Sequence, residues 1–331
     1  MKNANKVSRS FQHMILLCGC LLIYYSVSAR QHKPTESGYI AQKTQGIDSD
    51  YVLIFNSYSE SAPWCRSLVD STVMDLIKLS PQTMTVTQNL NSGLLRDEKA
   101  LAQLRQQVDV SYHDKPRMII YIGSTSWPFL HETIEKKWGK VPSIIFSDID
   151  YTGPIANLLR KTPIAPALRI PYDKIVKEYE GALSVVYMPI YLRQSLALMH
   201  QLTPPMTELC FISDTRWISA QMRADMAAIT KTDFPELKVR YLISADMSTL
   251  DLLDSLQHYG QETGVLFFSW LKQSQVGDSF VNDSHFRIII SKSARQPLFV
   301  LNDNEVNTDS DVLGGYFPTR AAVSHHVRLA L

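Results

Sequence analysis

Tyr51-Val52-Leu53-Ile54-Phe55-Asn56 is an apolar run closed by a polar residue, the pattern of a short strand covered on both faces and ending at a loop. The stretch after it places Val69, Val73, Leu76 and Ile77 on one helical stripe. The alternation then repeats. Met84 to Leu90 reads as a strand, and Leu94, Leu101, Leu104 and Val108 mark a helical face. Arg117 to Ile122 is a buried strand, Trp127, Leu130, Ile134 and Trp138 form a helical face, and Val141 to Phe146 is the next strand. Strands and helices alternating in this order predict parallel strands joined by right-handed crossovers.

Pro154, Pro163, Pro166, Pro171 and Pro189 interrupt the pattern, leaving room for one short helix around Tyr172 to Leu183. The pattern restarts with a helix through Leu192, Leu196 and Met199 and a strand Glu208 to Ser213. A helix through Ile218, Met222, Met226 and Ile229 follows, then a strand Lys238 to Ile243. Ser248 with Asp251 has the spacing of a capping box opening a helix with Leu252, Leu253 and Leu256. Gly264 to Trp270 and Pro297 to Leu301 complete a second set of strands. The expected fold is therefore two similar α/β lobes, each a mostly parallel sheet flanked by helices. The expected boundaries are 51–184 for lobe 1, 185–310 for lobe 2, and 311–331 for a crossover and a final helix still running at Leu331.

Of the 331 residues, 45% are hydrophobic and 20% are charged, which suits a large folded core. Thirty-three Lys plus Arg against 32 Asp plus Glu give no field favouring nucleic acid. Lys2, Lys6 and Arg9 precede an apolar run from Met14 to Tyr25, and Ser26-Val27-Ser28-Ala29 offers small residues for cleavage. Residues 1–29 therefore read as a signal peptide or an N-terminal anchor, with Cys20 as a third, lipoprotein option, and residues 30–50 as a flexible lead-in. Either main reading places the body in the periplasm. Cys65 and Cys210 stand in no metal-like spacing.

Ligands of open parallel sheets bind beyond the carboxyl ends of the strands. In the first lobe that rule selects Ser57, Tyr58, Ser59 and Trp64, then Gly123 and Ser124, then Ser147 and Asp148. In the second it selects Asp214, Arg216 and Trp217, then Ser269 and Trp270, then Asn302 and Asp303. Hydroxyls, carboxylates and aromatics at nearly every strand end suit a small polar organic ligand. For Ser57 and Asp214, helix capping competes with ligand contact. Phosphate loops, zinc motifs and nucleophile elbows are absent from the chain. Adjacent His325 and His326 point about 100° apart on a helix and cannot share a metal. No catalytic residue, metal or cofactor is expected.

Several segments resemble one family. Val52 to Trp64, Phe211-Ile212-Ser213-Asp214 with Ser219 to Arg223, Gly264 to Trp270, and Leu313-Gly314-Gly315-Tyr316-Phe317 are similar to segments of the periplasmic-binding-protein-like sensor domains of Bacteroidetes hybrid histidine kinases. These domains are related to ABC transporter substrate-binding proteins. The resemblance implies a two-lobed type I periplasmic-binding-protein-like fold that closes on its ligand about a hinge and signals to a kinase. The chain has no phosphoacceptor box or ATP-binding glycine boxes, so any kinase activity would lie outside it. The expected function is an extracytoplasmic sensor module of a two-component system, with a kinase transmitter or membrane partner and a homodimer among its assemblies. The alternatives are a stand-alone ABC-type substrate-binding protein and a secreted α/β hydrolase using Asp148 or Asp150. On this reading Trp270→Ala and Asp214→Ala abolish ligand-induced stabilisation without unfolding the protein.

Overall fold

A computed structural model describes residues 51–59, 63–203, 206–273, 280–281, 286–302 and 311–317, with 63–65, 273, 280–281 and 286–289 described by backbone alone. The expected signal segment, lead-in and final helix, and Asp303, lie outside the described residues, as do the side chains of Trp64 and Cys65.

Lobe 1 runs β1 (Tyr51–Asn56), α1 (Pro63–Leu79), β2 (Met84–Asn89), α2 (Glu98–Ser111), β3 (Met118–Ile122), α3 (Ser126–Trp138) and β4 (Ser143–Ser147). An excursion follows: β5 (Tyr151–Thr152), α4 (Ile155–Arg160), β6 (Ile170–Pro171) and α5 (Tyr172–Glu178). β7 (Leu183–Tyr187) then returns to the sheet, whose order is β2-β1-β3-β4-β7 with every pairing parallel. Lobe 2 comprises α6 (Leu192–Leu202), β8 (Glu208–Ser213), α7 (Trp217–Asp233), β9 (Lys238–Ile243), α8 (Thr249–His258) and β10 (Thr263–Phe267). It continues through β11 (Lys272–Gln273), β12 (Phe280–Val281), α9 (Phe286–Ser293), β13 (Leu298–Val300) and β14 (Val312–Gly314). Its sheet order, β14-β13-β10-β8-β9, repeats the first in mirror listing, again all parallel.

Alternation along the central strands explains why they read as unbroken apolar runs. Leu53 and Phe55 enter one apolar cluster while Val52 and Ile54 enter another. Leu209 and Phe211 likewise part from Cys210 and Ile212. Successive side chains of a strand point to opposite faces, and both faces here are covered. One face of each sheet shares a single continuous cluster that also takes Leu101 and Leu104 of α2, Leu196 and Met199 of α6, and Met222 and Met226 of α7. The other faces keep separate clusters, one with Leu68 and Leu76 of α1 and one with Leu252 and Leu256 of α8. Leu76 thus packs inward as the helical stripe predicts, but Ile77 is exposed. Ser248 and Asp251 form the expected reciprocal capping box at the start of α8.

Six strands differ from the expectation. β7 crosses the expected boundary at 184 and completes the first sheet through Tyr187. Its burial alternates irregularly, with Ser184 exposed, so it lacks the apolar continuity of a central strand. β14 extends the second sheet beyond 310, where a crossover is expected. The two short antiparallel ladders, β5 with β6 and β11 with β12, carry no pattern long enough to read from sequence.

Candidate functional site

In each sheet the first sheet strand of the lobe lies one in from the edge, its successor on one side and the third strand on the other. The carboxyl ends of β1 and β3, and of β8 and β10, therefore flank the point where chain direction switches, which is where ligands of open parallel sheets bind. Most of the expected site residues fall at these ends.

Ser57 is buried directly after β1, where its Oγ accepts a hydrogen bond from the Ser126 backbone N–H at 2.9 Å. That N–H belongs to the first turn of α3, whose own N-cap, Thr125, makes no side-chain cap. Ser57 caps α3 from a neighbouring loop, and its carbonyl receives both the N–H and the hydroxyl of Ser92 at 2.8 and 2.7 Å. Gly123 explains the adjacent geometry. Its φ is +88°, and a Cβ there would lie 2.7 Å from Tyr58 Cε2 and 2.8 Å from Ser57 Cβ. Glycine lets the β1 loop close over the end of β3.

That closure sets Tyr58 against Asp148: the phenol donates to Asp148 Oδ2 at 2.9 Å. Asp148 stands after β4 beside fully buried Ser147. Burial holds the Asp148 carboxyl above its ordinary range, and the Tyr58 hydroxyl and Arg216 pull it back down. Arg216 belongs to lobe 2, and its guanidinium carbon lies 5.5 Å from the Tyr58 ring centroid, within cation–π range. Ser59 is half-buried next to Tyr58, and Ser124 is buried.

On the lobe 2 side, Asp214 is fully buried and its carboxylate is engaged internally. Oδ1 accepts from the Arg216 N–H at 2.9 Å and from Ser219 Oγ at 2.6 Å, while Oδ2 accepts from Arg216 Nε at 2.8 Å. Asp214 therefore orients Arg216, and Arg216 extends to Tyr58. Ser269 is buried with its Oγ 3.3 Å from Ser219 Oγ. Trp270 is 6% exposed, joins the cluster of Leu252, Ile290 and Val300, and donates from Nε1 to Thr249 Oγ1 at 3.2 Å. Trp217 is buried too, and its Nε1 donates to the Thr162 carbonyl of lobe 1 at 3.1 Å. Asn302 is half-buried after β13.

Strand-end geometry thus brings Tyr58, Asp148 and Arg216 together between the lobes, with Gly123 and Asp214 positioning them. It turns Ser57, Asp214, Trp217 and Trp270 to internal contacts. The strand-end rule finds positions, but burial and partners decide which way each side chain turns. Arg216 sits two residues past a strand-end carboxylate, and that Asp-x-Arg spacing is the signal that marks it.

Among the described residues no group of three His, Cys, Asp or Glu could hold a metal ion, and no helix is long and apolar enough to cross a membrane. Cys210 is a free, buried thiol whose pKa burial pushes up to about 12, which suppresses the reactive thiolate.

No family model matches the chain. No curated protein matches it either. Solved structures do. An ABC transporter solute binding protein from Agrobacterium vitis with bound allitol is 10% identical, with 86% of this chain and 88% of that one covered at a TM-score of 0.50. The fold is the two-lobed, type I periplasmic-binding-protein-like one. An ABC sugar transporter subunit from Rhodobacter sphaeroides is also similar, at 12% identity, 84% and 88% coverage and a TM-score of 0.49. So is the periplasmic binding protein component of an arabinose ABC transporter from Shewanella, at 12% identity, 85% coverage of both chains and a TM-score of 0.48.

The raised Asp148 carboxyl has a consequence for stability. Between its ordinary value and its folded value the native state holds a proton that the unfolded chain has lost, so stability falls as pH rises through that window. Asp148→Asn removes the slope. Urea unfolding at a series of pH values is expected to show the variant gaining on the parent as pH rises, with the difference constant above the window. Parallel profiles would count against a buried, desolvated carboxyl.

Proposed function

We propose that the chain is an exported small-molecule-binding module that takes a small polar organic ligand between its lobes. The observation that carries this reading is the meeting of the Tyr58–Asp148 pair of lobe 1 with Arg216 of lobe 2 at facing strand ends. A hydroxyl, a carboxyl and a guanidinium from two lobes offer donors and acceptors that one polar ligand satisfies together, and ligand contact with both lobes favours the closed state. We assign residues 51–187 to lobe 1 and the chain from 188 onward to lobe 2, preceded by an export signal or anchor at 1–29, and the assigned location is the periplasm.

Two roles share this chemistry. In one, closure is read by a kinase transmitter or another membrane partner, as the resemblance to histidine-kinase sensor domains implies. In the other, the chain delivers its ligand to a permease as an ABC-type substrate-binding protein. The likeness to solute binding proteins makes the transport role at least as well supported. Neighbouring genes for a permease and ATPase favour transport; a kinase transmitter and response regulator favour sensing.

A thermal-shift panel of sugars, polyols, amino acids, nucleosides and short peptides tests the shared claim. One chemical class is expected to raise the melting temperature saturably, as binding to the native state alone must. Tyr58→Phe and Arg216→Lys, which keeps a cation beside the buried Asp214, are expected to lose most of that rise while keeping a folded baseline. A rise undiminished in both variants, or turnover of the hit, would contradict the proposal.

A further inference from the structure

The Pro-punctuated excursion between β4 and β7 leaves lobe 1, runs along α7 of lobe 2, and returns. Trp217 Nε1 donates to the Thr162 carbonyl at 3.1 Å, the Ile164 N–H donates to Gln221 Oε1 at 2.8 Å, and Arg169 Nη2 donates to Asp225 Oδ1 at 2.9 Å. Gln221 Nε2 also donates to Asp225 Oδ1 at 3.0 Å, which joins the last two contacts. Residues 217, 221 and 225 are spaced by four, so they form one stripe along two turns of α7. Leu158, Leu159 and Ile164 of the excursion are buried in the same apolar cluster as Trp217, Ile218 and Met222.

The excursion is rooted in lobe 1 at both ends. β5 pairs with β6, the Tyr172 N–H donates to the Asp150 carbonyl at 2.9 Å, and the Tyr172 ring meets Trp127 of α3 edge-on at 6.2 Å. Arg169 bridges the two sides: its guanidinium carbon lies 4.4 Å from the Tyr151 ring centroid while its Nη2 reaches Asp225. Pro163 and Pro166 each fix one backbone dihedral within the segment, so less freedom is lost on docking.

We propose that residues 155–169 form a strap that latches lobe 1 to lobe 2 and holds the cleft closed whether or not ligand is present. Strap release then sets how often the lobes part and admit ligand. A closed form populated without ligand lowers the fraction of protein open to entry and reduces apparent affinity by that fraction. None of the strap residues is a member of the Tyr58–Asp148–Arg216 group, so the two proposals fail separately.

Small-angle scattering of the full chain with no added ligand tests the strap. Arg169→Asp and Asp225→Arg are each expected to raise the radius of gyration, and the double exchange is expected to restore it. Amide exchange over the segment containing Ile164 is expected to accelerate in each single variant and slow again in the double. A parental radius in both single variants with native near-ultraviolet circular dichroism would overturn the latch. So would equal expansion of the single and double variants, which marks a folding defect and not a broken contact.

Discussion

Asp214→Ala is expected to destabilise the protein by about 3 kcal/mol, the lower end of the cost of removing one partner from a buried ion pair. Asp214 is fully buried, and the Arg216 side chain is only 16% exposed. Deleting the carboxylate strips an acceptor from the Arg216 N–H, from Arg216 Nε and from Ser219 Oγ at once. Arg216 retains a route to water, which keeps the loss from being larger. In a domain of this size the melting temperature should fall by roughly 5 °C. Asp214→Asn keeps the shape and one acceptor and should cost clearly less. Chemical unfolding of both variants checks the order. An alanine variant as stable as the parent would show that the network around the start of α7 contributes little.

The second large effect is Trp270→Ala, expected to cost about 3–5 kcal/mol, as for a buried aromatic replaced by alanine. The indole belongs to the buried apolar cluster that holds Leu252, Ile290 and Val300, and ties β10 to the start of α8 through Thr249. Lys272 Nζ stands 5.8 Å from its ring centroid. Trp270→Phe restores most of the packing and loses one neutral hydrogen bond, worth about 1 kcal/mol. If Trp270 instead faced ligand, both variants would keep the parental melting temperature and differ only in binding. The same measurement therefore separates a core residue from a stacking platform.

Both predictions reverse what position alone suggests. Trp270 and Asp214 stand just past apolar strands, where ligands of parallel sheets bind, and that much was legible from the runs Gly264 to Phe267 and Glu208 to Ser213. Which way each side chain turns depends on partners distant in sequence: Thr249 for Trp270, and Ser219 with Arg216 for Asp214. The lobes were legible because continuous apolar strands and helical stripes dictate local structure. β7 was not, because an edge strand with Ser184 exposed has no such run. The strap was invisible for a related reason: Thr162, Ile164 and Arg169 meet α7 more than fifty positions away, and each contact uses a carbonyl, an amide or a single ion pair. Gly123 showed only as a residue after a strand, and its need for glycine comes from the loop that folds over it.

The most direct test of a cleft shared by both lobes is a hydrogen-exchange footprint taken with and without whichever compound raises the melting temperature. Protection is expected at strand ends of both lobes, in the segments holding Tyr58, Gly123 and Asp148 and in the one holding Asp214 and Arg216. Protection confined to one lobe, or lying away from these strand ends, would contradict it.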